Sequence, residues 1–202
     1  MRTVILSIIF ALVFAQPSMA SDQSEVKEIV ERNIKIVIDY VKDKGLDKQT
    51  RNQKIIDTVV PFFDFDFMAK VCLGKEQWNA LNDADQKKFT DLFVKRLQES
   101  YLEKLDLYTD EQVVVDAAKK VKSRIYVVTY LVSKGDRMEM IYKFKESENE
   151  WKVYDLEILG VSMVLTYRSQ FSGFLKSNSM DDLMKKLEQK GSFAVPTGEK
   201  KK

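Results

Sequence analysis

Two pairs of carboxylates, Asp64 with Asp66 and Asp155 with Glu157, are the residues whose types and spacing would permit acid–base chemistry. One residue separates the members of each pair, so they share a side only where the backbone is extended. Hydrolysis would also need a nucleophile or an oxyanion-binding motif, and neither accompanies them. The chain contains no histidine and a single cysteine, Cys72. That excludes Ser-His-Asp and Cys-His pairs, histidine-bearing metal sites and thiolate clusters. The expectation is a protein that is not an enzyme, with no catalytic residues, no metal and no organic cofactor, its carboxylates serving as caps or surface charges. A lone cysteine forbids an internal disulfide, and Val71 and Leu73 beside it predict a buried thiol.

The hydrophobic period locates the elements that hold these residues. From Ser24 to Lys44, Val26, Ile29, Val30, Ile34, Val37, Ile38 and Val41 recur at steps of three and four, predicting an amphipathic helix that Gly45 ends. A second helix carries Ile55, Ile56, Val59 and Val60 until Pro61 breaks it. A short helix is expected over Phe65–Val71, and a long one after an N-cap at Asn82 or Asp83, with Phe89, Leu92, Phe93, Leu97, Tyr101 and Leu105 on one face. The pattern then turns to strands at Glu111–Ala118, Ser123–Ser133, Asp136–Glu146 and Glu150–Leu159, with tight connections at Lys134-Gly135 and Ser147–Asn149. Met138, Met140, Tyr142 and Phe144 share one face of the third strand, opposite Arg137, Glu139, Lys143 and Lys145. The second strand is apolar on both faces, which places it inside the sheet. Helices at Val161–Lys176 and Met180–Lys190 follow, the last capped by Ser179 with Asp182. The predicted architecture is a single α+β domain, a four-stranded antiparallel sheet covered on one face by helices.

The ends of the chain read differently. Arg2 precedes an apolar run from Val4 to Ala15, then Pro17, Ser18 and Ala20, which predicts an export signal over residues 1–20 cleaved after Ala20. The run falls short of the roughly 20 apolar residues of a membrane span, so no stable membrane insertion is expected. The remaining domain is assigned to residues 21–190 and a frayed tail to 191–202. Arg2 is the only charge in the leader, and its removal leaves 32 basic against 31 acidic residues. Such a balance recommends no polyanion, and no nucleic-acid motif is present. Lys119, Lys120, Lys122 and Arg124 form a local basic cluster between two strands, read as a solvated hairpin rather than as a site for anionic headgroups or an acidic partner.

Two segments go beyond periodicity: VPFFDFDFMAKVCLG at Val60–Gly74 and WKVYDLEILGVSMVLTYRSQF at Trp151–Phe171. Through Val60, Pro61, Asp64, Phe65, Met68, Ala69, Leu73 and Gly74, then Trp151, Val153, Tyr154, Asp155, Gly160, Val161, Ser162 and Tyr167 to Phe171, the chain resembles the MlaC family of periplasmic phospholipid-binding proteins, also called the toluene-tolerance or ABC-transporter auxiliary family. The resemblance implies an apolar pocket between sheet and helices that shelters acyl chains, with phospholipid as cargo. It also implies a periplasmic shuttle serving an inner-membrane ABC transporter with a substrate-binding ring and an outer-membrane lipoprotein-porin assembly.

On that basis Val128, Tyr130, Met138, Met140, Tyr142, Val153 and Ile158 are expected on the pocket wall, joined by Phe93, Leu97, Val164 and Phe171 from helices. Val153 and Ile158 fall on opposite alternating sets and can share a face only if their strand bulges. Tyr167 and Arg168 are assigned a headgroup or structural role: Arg168 could meet a phosphate by paired donors, or form an ion pair with Asp155 or Asp64, the reading preferred here. The competing functional readings are an envelope adaptor or assembly factor with a closed core, and a carrier of another apolar ligand such as a hopanoid.

Overall fold

The computed structural model describes residues 19–106, 111–133 and 135–193, with side chains from Asp22 onward. Residues 1–18 of the expected leader, Lys134 of the expected turn and residues 194–202 of the expected tail lie outside the described residues.

The first helix, α1, spans Met19–Lys42, beginning earlier than its apolar period predicts. Asp43 then accepts a hydrogen bond from the Gly45 amide and turns the chain. In α2, Lys48–Val59, Asp47 caps the N-terminus by accepting from the Gln49 and Thr50 amides. Pro61 converts the chain into a 3₁₀ turn at Val60–Phe62, as its lost amide requires. Helix α3, Phe65–Leu73, is capped by Asp64. Gly74, at φ +88°, lets the chain reverse into α4, Lys75–Ala80, a helix too short for periodicity to announce. Asn82 caps α5, Asp83–Leu105.

The sheet is an antiparallel meander of β1 (Gln112–Val121), β2 (Arg124–Ser133), β3 (Asp136–Ser147), β4 (Glu150–Ile158) and β5 (Val161–Ser162), in that spatial order. Among the described residues it therefore has five strands, not four. The extra strand arises because Leu159 and Gly160, at φ +49° and +79°, form a two-residue hairpin turn. That turn folds Val161 back onto Ile158 before helix geometry begins. Helix α6 accordingly starts at Met163 rather than Val161 and runs to Phe174, capped by Ser162. Helix α7, Met180–Leu187, carries the expected capping box of Ser179 and Asp182.

Two apolar cores result. The larger one fills the space among α3, α4, α5, α6 and α7, where Phe93 meets Tyr167 edge-on at 5.3 Å and Phe171 meets Phe193 at 5.0 Å. Phe193, within the segment expected as a tail, is buried in this core. The smaller core joins Val26 and Val30 of α1 to Ile125, Val127, Phe144 and Val153 of the sheet. Between these two cores the packing opens.

Candidate functional site: an apolar cavity beneath the helices

The opening is a cavity of about 590 Å³. Its floor is one face of the sheet, where Val113, Leu131, Met138, Met140, Tyr142, Phe144, Val153, Leu156 and Ile158 point the same way. One wall is α1, whose row from Ile29 through Ile34 and Val37 to Val41 faces the floor; α2 and the 3₁₀ turn add Ile55, Ile56, Val59 and Phe62. The other wall is α5, with Leu97, Tyr101, Leu102 and Leu105, extended by Met163. Among the described residues the polar groups in the lining are few: Asn33, Gln98, Lys104, Glu111 and the hydroxyls of Tyr101 and Tyr142. Asn33 is already engaged, its amide donating to the Ile29 carbonyl at 2.7 Å.

Strand geometry decides which residues reach this floor. In β2 the inward set is Ile125, Val127, Thr129 and Leu131, the first three fully buried. Val128 and Tyr130 point to the opposite face, where they stand across from Ile141 and Glu139. There the Arg137 guanidinium sits 4.1 Å from the Tyr130 ring centre. In β4 the register shifts between the pairs Lys143–Asp155 and Phe144–Val153, leaving Tyr154 as the extra residue of a β-bulge. The bulge restores Val153, Leu156 and Ile158 to one face.

Of the expected wall residues, Leu97, Met138, Met140, Tyr142, Val153 and Ile158 line the cavity. Phe93, Val164 and Phe171 do not: they are buried in the closed helical core, because α5 and α6 turn those faces toward α3 and α7. Val128 and Tyr130 are excluded by the alternation of β2. Tyr167 is fully buried in the helical core beside Arg96 and Ser100, away from solvent, and burial pushes its phenol up. Arg168 is exposed on α6 and pairs with neither Asp155 nor Asp64. The α1 row was visible as an amphipathic stripe, but a stripe does not declare whether it faces a core or a void. Leu131 was hidden by the two apolar faces of β2.

Among the described residues, the carboxylate pairs and the thiol that could do chemistry are engaged elsewhere. Asp64 accepts from the Phe67 amide at 3.0 Å and pairs with Lys145 at 2.6 Å. Burial opposes its ionisation, but the Lys145 and Phe67 hydrogen bonds outweigh it and hold the carboxyl below the usual carboxylate range. Asp155 is buried and accepts from the Ser162 hydroxyl at 2.8 Å, the Val164 amide at 3.1 Å and Lys143 at 3.2 Å. Lys143 also meets Glu157, so Asp64, Asp155 and Glu157 serve as caps or ion-pair partners, while Asp66 stands in the first turn of α3. Burial pushes the Tyr142 phenol up to about 12, which keeps it neutral at physiological pH. Cys72 is fully buried, its thiol donating to the Val164 carbonyl at 3.6 Å, and burial pushes it far above the reactive range. The basic cluster sits on the β1–β2 hairpin, where Lys120 pairs with Asp22 and Arg124 donates to the Tyr154 hydroxyl at 2.7 Å.

Fold and cavity together define a class: an α+β domain organised around an apolar internal space. Comparison with known proteins then places it. The family model described as MlaC protein matches residues 16–189, and the chain belongs to the MlaC family. The intermembrane phospholipid transport system binding protein MlaC of Haemophilus influenzae is 22% identical over 143 residues. That match covers 68% of this chain and 66% of the relative, so the chain spans just under two thirds of the relative's length. A phospholipid-binding protein from Ralstonia solanacearum, solved in complex with a phospholipid, superposes with a TM-score of 0.71 at 22% identity, covering 80% of this chain and 94% of that one. The α+β architecture is thus shared. Among the described residues no helix is long and apolar enough to cross a membrane.

Proposed function

We propose that this protein is a periplasmic phospholipid carrier that holds acyl chains between α1, α2, α5 and the inner face of the sheet. The observation that carries this reading is the apolar cavity itself, whose floor and walls present aliphatic, aromatic and methionine side chains with few polar groups among them. Family membership and the names of the two similar proteins support phospholipid as the ligand.

Removing an acyl chain of ~16 carbons from water is worth on the order of 12 kcal/mol at ~0.8 kcal/mol per methylene, so free passage of a lipid through an aqueous compartment is negligible. A carrier has to match the apolar shelter of a bilayer. Transfer between two apolar environments gains little, which leaves direction to the docking partners. The partners proposed are an inner-membrane ABC transporter with a substrate-binding ring and an outer-membrane lipoprotein-porin assembly. Met138 and Met140 on the floor suit a carrier of varied chains, because unbranched thioethers re-pack readily.

The test is a comparison of native and denatured mass for protein purified from a cell envelope fraction, followed by extraction and identification of the ligand. A stoichiometric phospholipid is the expected result. A hopanoid would redirect the reading to another apolar cargo, and a chain that is empty and refuses lipid from vesicles would favour the adaptor.

A further inference from the structure

The tip joining β4 to α6 displays apolar side chains that neither core uses. Leu159, Val161 and Leu165 are 40%, 49% and 59% exposed, and all lie within one hairpin turn, a two-residue strand and the helical turn after it. Single exposed leucines are ordinary, but several large apolar side chains within seven residues of one connection mark a contact surface. The backbone departs from the usual rule at the same place. Leu159 occupies the left-handed region at φ +49°, where asparagine or glycine is normally found. The tip is also continuous with the cavity: Ile158 before the turn and Met163 after it both line it, and Ile158 pairs with Val161. Three residues beyond Leu165, on the same exposed face of α6, stands Arg168, exposed and without an ion pair among the described residues.

We propose that this tip is a lipid-surface contact, in which Leu159, Val161 and Leu165 enter the interfacial layer of a bilayer while Arg168 meets lipid phosphates. The inference rests on the carrier reading and extends it by saying how one end of the cavity is brought to a membrane. A few apolar side chains beside an unpaired guanidinium fit the interfacial region, where apolar burial and attraction to anionic headgroups act together. A protein partner is a poorer fit, because the four residues of the tip fall well short of the roughly 20–30 residues a side of a stable interface. Contact of this kind is peripheral and reversible.

Full-length protein carrying Leu165→Cys, labelled with an environment-sensitive fluorophore, tests the contact; buried Cys72 stays unlabelled. Vesicles of phosphatidylethanolamine and phosphatidylglycerol are expected to shift its emission to the blue and brighten it, while the same label at Ala80→Cys on α4 stays unchanged. A second variant, L159N/L165Q/R168Q, is expected to keep its melting temperature, since asparagine suits a positive φ, and to keep its bound lipid. Its transfer of fluorescent phospholipid between protein-free vesicles should fall by about tenfold. A silent label at position 165 would overturn the proposal. So would wild-type transfer between protein-free vesicles by the triple variant, with loss only when envelope proteins are added, since the tip would then serve a protein partner. Wild-type protein that holds no lipid yet still brightens on vesicles would remove the carrier reading and leave the membrane contact supported.

Discussion

Asp155 ties the β4 bulge to the start of α6, since one buried carboxylate receives the Ser162 hydroxyl, the Val164 amide and Lys143. Hydrogen bonds to a charged acceptor contribute roughly 1.5–3 kcal/mol each, with losses that are not additive. Asp155→Ala is expected to lower stability by about 3 kcal/mol in denaturant unfolding, because it leaves Val164 and Ser162 without an acceptor and weakens the hold on Lys143. Asp64 is a different case, with its folded carboxyl pKa held below the unfolded value. The unfolded chain therefore binds a proton first as pH falls. The stabilisation from Asp64 is present in full above about pH 5 and fades as pH drops through 4 toward the folded pKa. Asp64→Asn should flatten the acid limb of the stability profile relative to wild type; parallel profiles would show that Lys145 does not stabilise the carboxylate.

At the scale of elements, α2 is the least anchored wall of the cavity. Ile55 is its one buried residue among those described, and its N-terminal end is tied to the end of α5 by Lys48 and Arg51 on Asp106. Exposed ion pairs contribute little to global stability but can bias a local opening of similar free energy. Asp106→Ala is expected to speed amide hydrogen exchange across α2 and release of bound lipid by a few-fold, with the melting temperature nearly unchanged. High salt should do the same to wild type and have little further effect on the variant. Elements also explain what the sequence could and could not convey. The long helices, the capping box of α7 and the inward face of β3 were legible, because strong periods and local capping chemistry determine them. Val128 and Tyr130 fall on the outer face, which alternation could not reveal: β2 is apolar on both faces, so its period names two sets without saying which is inside. Val153 and Ile158 were assigned to one wall only on condition of a bulge, and Tyr154 supplies it through pairing with β3 that β4 alone does not encode. Strand β5 is two residues long, too short for any period.

For the whole molecule, the question is why a domain with two packed apolar cores leaves a cavity between them. One group of aromatic side chains is committed to the helical core: Phe89, Phe93, Tyr167 and Phe171 pack against one another between α5 and α6. Helix α1 lies over the sheet with Val26 and Val30 seated, while its later residues face the opening. The sequence shows amphipathic helices and a half-apolar sheet, but the distance between them is a tertiary property. Phe93, Val164 and Phe171, expected on a wall from their apolar character alone, belong instead to the closed helical core.

The central claim is that the inner face of the sheet, and not its outer face, holds the lipid. The direct measurement is the native mass of three proteins purified in parallel: wild type, Met140→Asp on the cavity floor and Val128→Asp on the opposite face of the same sheet, each checked for cooperative unfolding. A buried charge disfavours an acyl chain by several kcal/mol, so Met140→Asp should lose the lipid adduct while wild type and Val128→Asp retain it. An adduct that survives in Met140→Asp, or that disappears in Val128→Asp alone, would contradict the account.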